Sequence, residues 1–375
     1  MMNKNILVIL CAVASLACAQ QKTLTDAEVQ RIHQSLLLID THNDVTSETV
    51  KGLDIGKRGT KTHTDIPRLK QGNVGATFFA VYVAASYAAD NRSAHRTLEM
   101  IDTVRRDIVG RYPNDFELAL TASDIEAIRK RGKLAALMGI EGGHAIDDSL
   151  RLLRTFYDLG IRYMTLTHSN TNNWADSSGG SPLHNGLTAF GRQVIAEMNR
   201  IGMMVDISHV SDKTFYDAIA ASKAPIFASH SSCRALSNIK RNMTDDMIRA
   251  LAKNGGVVQI NFGCEFLSQK SANASPYFGG KALPKGTPFP RATLADAVAH
   301  IDHVVKIAGI DHVGIGSDFD GVPCVPVGLE DVSKFPNLTR ALLEKGYTPE
   351  QIGKIYSGNL LRVMRAVERA AQPSR

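Results

Sequence analysis

The chain has 375 residues, 44% of them hydrophobic and 21% charged, a balance that supports a substantial core and excludes disordered and collagen-like classes. Its formal charge of +6 comes from 43 basic against 37 acidic residues. With no long Lys/Arg run and little aromatic clustering beside one, the chain carries no nucleic-acid footprint.

Residues 1–19 read as a signal peptide: Lys4 lies in a short polar start, 6–17 is apolar, and Ala17-Cys18-Ala19 fits cleavage after Ala19. The apolar stretch is too short for a membrane span. Cys18 leaves lipid attachment open, which would bring the protein to a membrane. Ser15 occupies the place where lipoprotein signals prefer an aliphatic residue, so cleavage without lipid is the reading. An exported protein, periplasmic or secreted, is expected. Residues 20–375 show no repeat, low-complexity tract or linker and are taken as a single domain.

Eight strands are expected at 36–40, 74–83, 134–140, 163–167, 203–207, 225–228, 256–262 and 312–316, mostly continuous apolar runs, as suits parallel strands covered on the outside. Helices are expected between them, including 94–112, 149–159, 186–200, 212–221, 245–253 and 293–307. Strand then helix, repeated, predicts an α/β fold: a (β/α)8 TIM barrel. The Gly/Pro/Ser/Lys-rich stretch 269–291 follows strand seven and reads as an exposed loop able to shape the pocket. A C-terminal helical extension, 348–371, should pack on the barrel. After the signal, Cys233, Cys264 and Cys324 remain. One disulfide is conceivable, but the odd number and the spacing favour three partly buried thiols.

Residues of metal-ligand type recur at the strand ends. His42 and Asp44 lie two apart, so on a strand both face the same side and can present a nitrogen and an oxygen to one cation. Glu141 follows a wholly apolar run and precedes Gly142-Gly143; its two oxygens can bridge two cations, which would supply the counter-charge that a buried carboxylate needs. His144 lies past the glycines and reads as a loop residue or one supporting the ligands. His209 and His230 each end a strand after a serine; with Glu141 they would complete a second cation site open to water. Asp206 could orient a ligand imidazole or make a structural hydrogen bond.

Taken together, these residues resemble the membrane, or renal, dipeptidases, zinc metallopeptidases on an amidohydrolase-like barrel. The likeness runs over nearly all of the mature chain. It includes Asp40-Thr41-His42-Asn43-Asp44, Asp65-Ile66-Pro67-Arg68-Leu69 with Gly72, Glu141-Gly142-Gly143-His144, Leu166-Thr167-His168-Ser169, Asn172, Trp174-Ala175-Asp176, Asp206 to Ser211, Ser229 to Ser232, Arg241-Asn242 and Gly316 to Gly321. The resemblance implies one zinc on His42 and Asp44, another on His209 and His230, and Glu141 bridging them. It further implies that His168 contacts the scissile carbonyl, Arg241 holds substrate, and Asp318 lies near the cleaved bond. On sequence alone, His168 could be a core histidine, Arg241 a solvated helix-start residue and Asp318 a loop acid.

The expected chemistry is hydrolysis of a dipeptide by water activated between two zinc ions. His168 would steady the oxyanion and Asp318 would carry the proton. Two zinc ions against Asp44, Glu141 and hydroxide leave a positive centre, and Arg241 can grip a free carboxylate bidentately. A homodimer is implied by the resemblance. The polar stretch 367–375 lacks a glycolipid-anchor tail, and the cysteines reproduce no secure disulfide pattern, so a bacterial envelope protein is expected. Four N-x-S/T sequences, at Asn91, Asn242, Asn273 and Asn337, would matter only in a eukaryotic secretory route. The alternatives are another binuclear amidohydrolase, a lactonase or cyclic amidase, and a non-catalytic metal-containing binding protein. Asp44 in place of a second strand-one histidine, and Glu141 in place of a bridging lysine, argue against the first. Asp318 beside a full ligand set argues against the second.

Overall fold

Short runs rich in Val, Ile, Leu and Ala, buried on both faces, form the strands of one parallel sheet in a computed structural model that describes residues 24–372. The expected signal peptide at 1–19 lies outside them. The strands are β1 Leu38–Asn43, β2 Val74–Tyr82, β3 Phe116–Leu118, β4 Leu134–Glu141, β5 Ile161–Thr165, β6 Met204–Asp206, β7 Phe227–Ser231, β8 Val257–Ile260 and β9 Val313–Ile315. Eight of them pair in the order β1-β2-β4-β5-β6-β7-β8-β9. β9 returns to β1 through the parallel bridge Asn43–Phe319 and the bonds Asp44 N to Phe319 O (2.9 Å) and Asp318 N to His42 O (3.1 Å). These contacts close a (β/α)8 barrel, so the strand ends converge on one mouth.

β3 was not expected from the sequence. Its three residues pair with Leu134, Ala135 and Ala136 at the start of β4, while β5 pairs with β4 only from Met138 onward. One edge of β4 is thus shared between two partners.

Two boundaries shift in a way that matters for the mouth. β1 was expected to stop at Asp40 and β7 at Ala228, where the apolar runs end. Both continue through polar residues, to Asn43 and Ser231. They can do so because Asp40, Thr41, His42, Ser229 and His230 are fully buried and bonded to neighbouring strands.

The expected helix 94–112 divides into an α-helix, Ser93–Asp102, and a wider π-type segment, Thr103–Gly110. The tail ends in the helix Asn359–Ala370. Its Leu360, Leu361, Val363, Met364 and Val367 join Ile39, Phe78, Leu137, Phe227 and Val257 in one apolar cluster, sealing the end of the barrel away from the mouth. Among the described residues no helix is long and apolar enough to cross a membrane.

The expectation of three thiols is corrected: Cys264 and Cys324 form a disulfide across 60 residues, and Cys233 is a buried free thiol. The two loops that follow β8 and β9 bring them together, a proximity that sequence spacing does not carry.

Candidate metal centre and substrate cavity

Strand ends position the side chains. His42 ends in a buried imidazole whose Nδ1 meets the Tyr163 hydroxyl at 2.8 Å. Tyr163 stands inside the barrel and also donates to Thr41 O. Its ring lies where a side chain on β4 would go: a Cβ on Gly139, its β4 partner in register, would come within 2.0 Å of the ring. Only glycine leaves that room. The phenol thus fixes the imidazole so that Nε2 points to the mouth.

His42 Nε2 lies 3.2 Å from Asp44 Oδ2, 3.6 Å from Glu141 Oε2 and 3.9 Å from Asp318 Oδ1. Glu141 turns its other oxygen the opposite way. Oε1 is 2.9 Å from His209 Nε2 and 3.2 Å from His230 Nε2, while His168 Nε2 stands off at 3.8 Å. The Nε2 atoms of His209 and His230 are 3.0 Å apart.

The tautomer of His230 follows from its neighbours. Ser229 Oγ donates its single proton to Asp206 Oδ2 at 2.6 Å and so accepts from His230 Nδ1–H at 2.7 Å. Nε2 of His230 is then a lone pair aimed at the mouth. Asp206 therefore reaches the imidazole through Ser229 rather than directly. Its carboxylate also takes the Ser208 and Ser229 N–H groups and the Thr165 hydroxyl.

The donor set fits divalent cations on two counts. His42 Nε2 and Asp44 Oδ2 are buried without any hydrogen-bond partner, an arrangement that costs free energy unless something charged satisfies both. Imidazole nitrogens facing a shared carboxylate at short range are, moreover, the ligand chemistry of zinc. Three groupings have ligand atoms within 4.8 Å of one another: His42, Glu141 and His230; Glu141, His168 and His209; and His42, Asp44 and Asp318.

Electrostatics follow the crowding. Burial would raise the Glu141 carboxyl, but the surrounding His42, His168, His209 and His230 hold it well below the usual range. Asp318 goes the other way: burial, with Asp44 and Glu141 adding to it, pushes its carboxyl well up despite His42 and a 2.6 Å bond from Asn261 Nδ2. His209, Asp318 and Asp320 adopt left-handed backbone, with φ of 67°, 60° and 70°. Such strain in non-glycine residues clusters where a site demands an exact aim.

Above the centre lies a cavity of about 550 Å³ lined by Asp44, Glu141, His168, His209, Arg241 and Asp318, with Tyr82, Phe266, Tyr277, Phe278 and Val322 supplying apolar wall. His42 and His230 lie beneath its floor. Gly321 passes so close that a Cβ there would lie 2.4 Å from both Asp44 Oδ2 and Asp318 Oδ1.

Arg241 is no solvated helix-start residue: it bonds Ser231 Oγ and His230 O, and its guanidinium lies 5.1 Å over the Phe266 ring. His144 points elsewhere, its Nε2 bonded to Val83 O. The loop after β8 does wall the pocket, with the Tyr277 hydroxyl 2.7 Å from Ser169 Oγ.

Sequence reasoning missed Tyr163, Ser229, Asn261 and Tyr277. Asn261 was visible as a polar residue in the expected strand 256–262, and Ser229 as half of a repeated Ser-His pair; Tyr163 and Tyr277 carried no signal.

A closed parallel barrel with imidazoles and carboxylates converging beside a cavity at its mouth defines a hydrolase of the metal-dependent barrel class. The chain belongs to the membrane dipeptidase family, peptidase family M19, whose model matches residues 26–375. It is 39% identical over 374 residues to an uncharacterized dipeptidase of Schizosaccharomyces pombe, covering 94% of this chain and 85% of the relative. Among solved structures it is similar to the probable dipeptidase PvdM of Pseudomonas aeruginosa, with a TM-score of 0.82, 26% identity, and 92% of this chain and 99% of that one covered. It is also similar to a Rhodobacter sphaeroides metallo peptidase liganded with a phosphinate mimic of the dipeptide L-Ala-D-Ala, with a TM-score of 0.75, 26% identity, and 88% and 99% covered. The protein is an enzyme, a dipeptidase of this metallopeptidase family.

Proposed function

We propose that this dipeptidase works with two zinc ions, His42 and Asp44 holding one, His209 and His230 the other, and Glu141 giving one oxygen to each. Bound there, the pair would acidify a shared water towards a pKa of about 7 and polarise the scissile carbonyl. The observation that carries this reading is the division of Glu141, with Oε2 facing His42 and Oε1 facing His209 and His230.

The chain's own groups supply the rest. Asp318, aimed by Asn261, takes the proton of the attacking water and returns it to the leaving amine. His168, partly exposed on the cavity wall, faces the carbonyl oxygen as charge develops on it. Arg241, fixed by His230 O and the Phe266 ring, grips the free carboxylate of a short peptide. Export by the 1–19 signal to the periplasm or medium belongs to the same proposal. So do a homodimeric state and membrane association only through lipid on Cys18.

The test is to purify the mature protein, count its metals, and assay L,L and L,D dipeptides beside peptides blocked at the carboxyl end. The liganded Rhodobacter relative motivates the L,D arm. Two zinc ions per chain and much faster hydrolysis of free dipeptides than of blocked ones are expected. Arg241→Ala should lose free dipeptides selectively; equal loss of blocked and free substrates would refute the carboxylate grip.

A further inference from the structure

Glu265 is a carboxyl-bearing wall residue of the substrate cavity with no role in the chemistry above. It is only 5% exposed, yet it borders the cavity that holds the metal centre. Among the described residues it makes no ion pair within 4.0 Å. The polar groups that favour its charged form are Ser275 and its own backbone N–H. Arg241 and Asp318 line the same cavity, but Arg241, placed by His230 O and the Phe266 ring for the substrate carboxylate, forms no ion pair with Glu265.

The position is built. Cys264, the preceding residue, is bonded covalently to Cys324, and its N–H donates to Cys324 O at 3.0 Å. Glu265 O accepts from Ser237 Oγ at 2.7 Å. The backbone of Glu265 is thereby anchored, and Val322 and Pro323 line the same cavity. Glu265 also borders a second cavity of about 510 Å³, walled by Pro288, Phe289 and Val325. Arg291 borders that second cavity, but its guanidinium is spent on Val325 O. Burial pushes the Glu265 carboxyl up, and no neighbouring cation offsets this. A carboxylate in such a place is stabilised when a cation arrives to pair with it. A carboxylate that shares its cavity wall with Phe266, Phe278, Val322 and Pro323 suits a side chain with an aliphatic stem and a cationic end.

We infer that Glu265 is a specificity residue that receives the cationic end of a substrate side chain, so that dipeptides containing lysine, ornithine or arginine are preferred to uncharged counterparts. The inference rests on the dipeptidase reading and narrows its substrate class.

The experiment compares kcat/KM of the metal-loaded enzyme for Ala-Lys and Lys-Ala with the same peptides acetylated on the lysine Nζ, with Ala-Ala as reference. The expected ratio of free to acetylated lysine is about 10-fold or more in at least one order, carried mainly by KM, from one charge-assisted pair. In Glu265→Gln the ratio should fall towards one, and Glu265→Asp should restore part of it. Equal rates for free and acetylated lysine in the wild type would overturn the proposal, as would an unchanged ratio in Glu265→Gln. Should a variant not fold, the wild-type comparison alone still decides. Failure to cleave Ala-Ala as well would instead count against the dipeptidase reading beneath it.

Discussion

Replacing Tyr163 by Phe removes one oxygen and keeps the ring packed against Phe78 and Phe227, whose centroids each lie 5.3 Å away. That oxygen is the partner of His42 Nδ1 at 2.8 Å and a donor to Thr41 O. His42 is fully buried, so no water replaces the lost bond, and an unsatisfied buried group costs about 1–3 kcal/mol. Loss of a partner that orients a ligand histidine typically weakens metal binding about 10–100-fold, or about 1.4–2.7 kcal/mol. The two routes agree in size. Chelator competition for the metal proposed to bind His42, with thermal unfolding of the metal-free protein alongside, reads both. Metal affinity unchanged while Tm falls would refute the reasoning and make the phenol a purely structural group.

Asp318→Asn should depress turnover far more than zinc content, measured by assay and metal analysis; a large zinc loss instead would make Asp318 a ligand. His300, fully buried, accepts from Cys233 N–H through Nδ1 and donates through Nε2 to Leu267 O, so it must stay neutral. Burial lowers its pKa from 6.5 to about 4. The unfolded chain then binds more protons between those values, so His300 contributes fully above about pH 6.5 and the contribution is lost as pH falls towards 4. The loss is about 3 kcal/mol, and denaturation against pH should show this slope flattened in His300→Gln. Cys324→Ser opens a 60-residue loop and should cost about 2–4 kcal/mol in the same denaturation assay. Equal stability would show that the pairing adds nothing.

How much was legible beforehand depends on distance along the chain. His42 with Asp44, and the Ser-His pairs at 208–209 and 229–230, announce themselves because strand ends are local and an apolar run stopping at a ligand-type residue can be read directly. Barrel architecture followed from repetition of strand and helix. Continuation of β1 and β7 into polar residues was hidden, since whether a strand tolerates His or Ser depends on what the next strand offers them.

The sequence by itself determined the alternation that makes a barrel and the ligand-type residues at its strand ends, because both are written in short-range pattern. Only the tertiary structure decided that Tyr163 orients His42, that Ser229 stands between His230 and Asp206, and that Cys264 joins Cys324 behind Glu265. Each depends on strands or loops far apart in the chain meeting at one mouth, and hydrophobic periodicity says which residues are buried but not which of them touch.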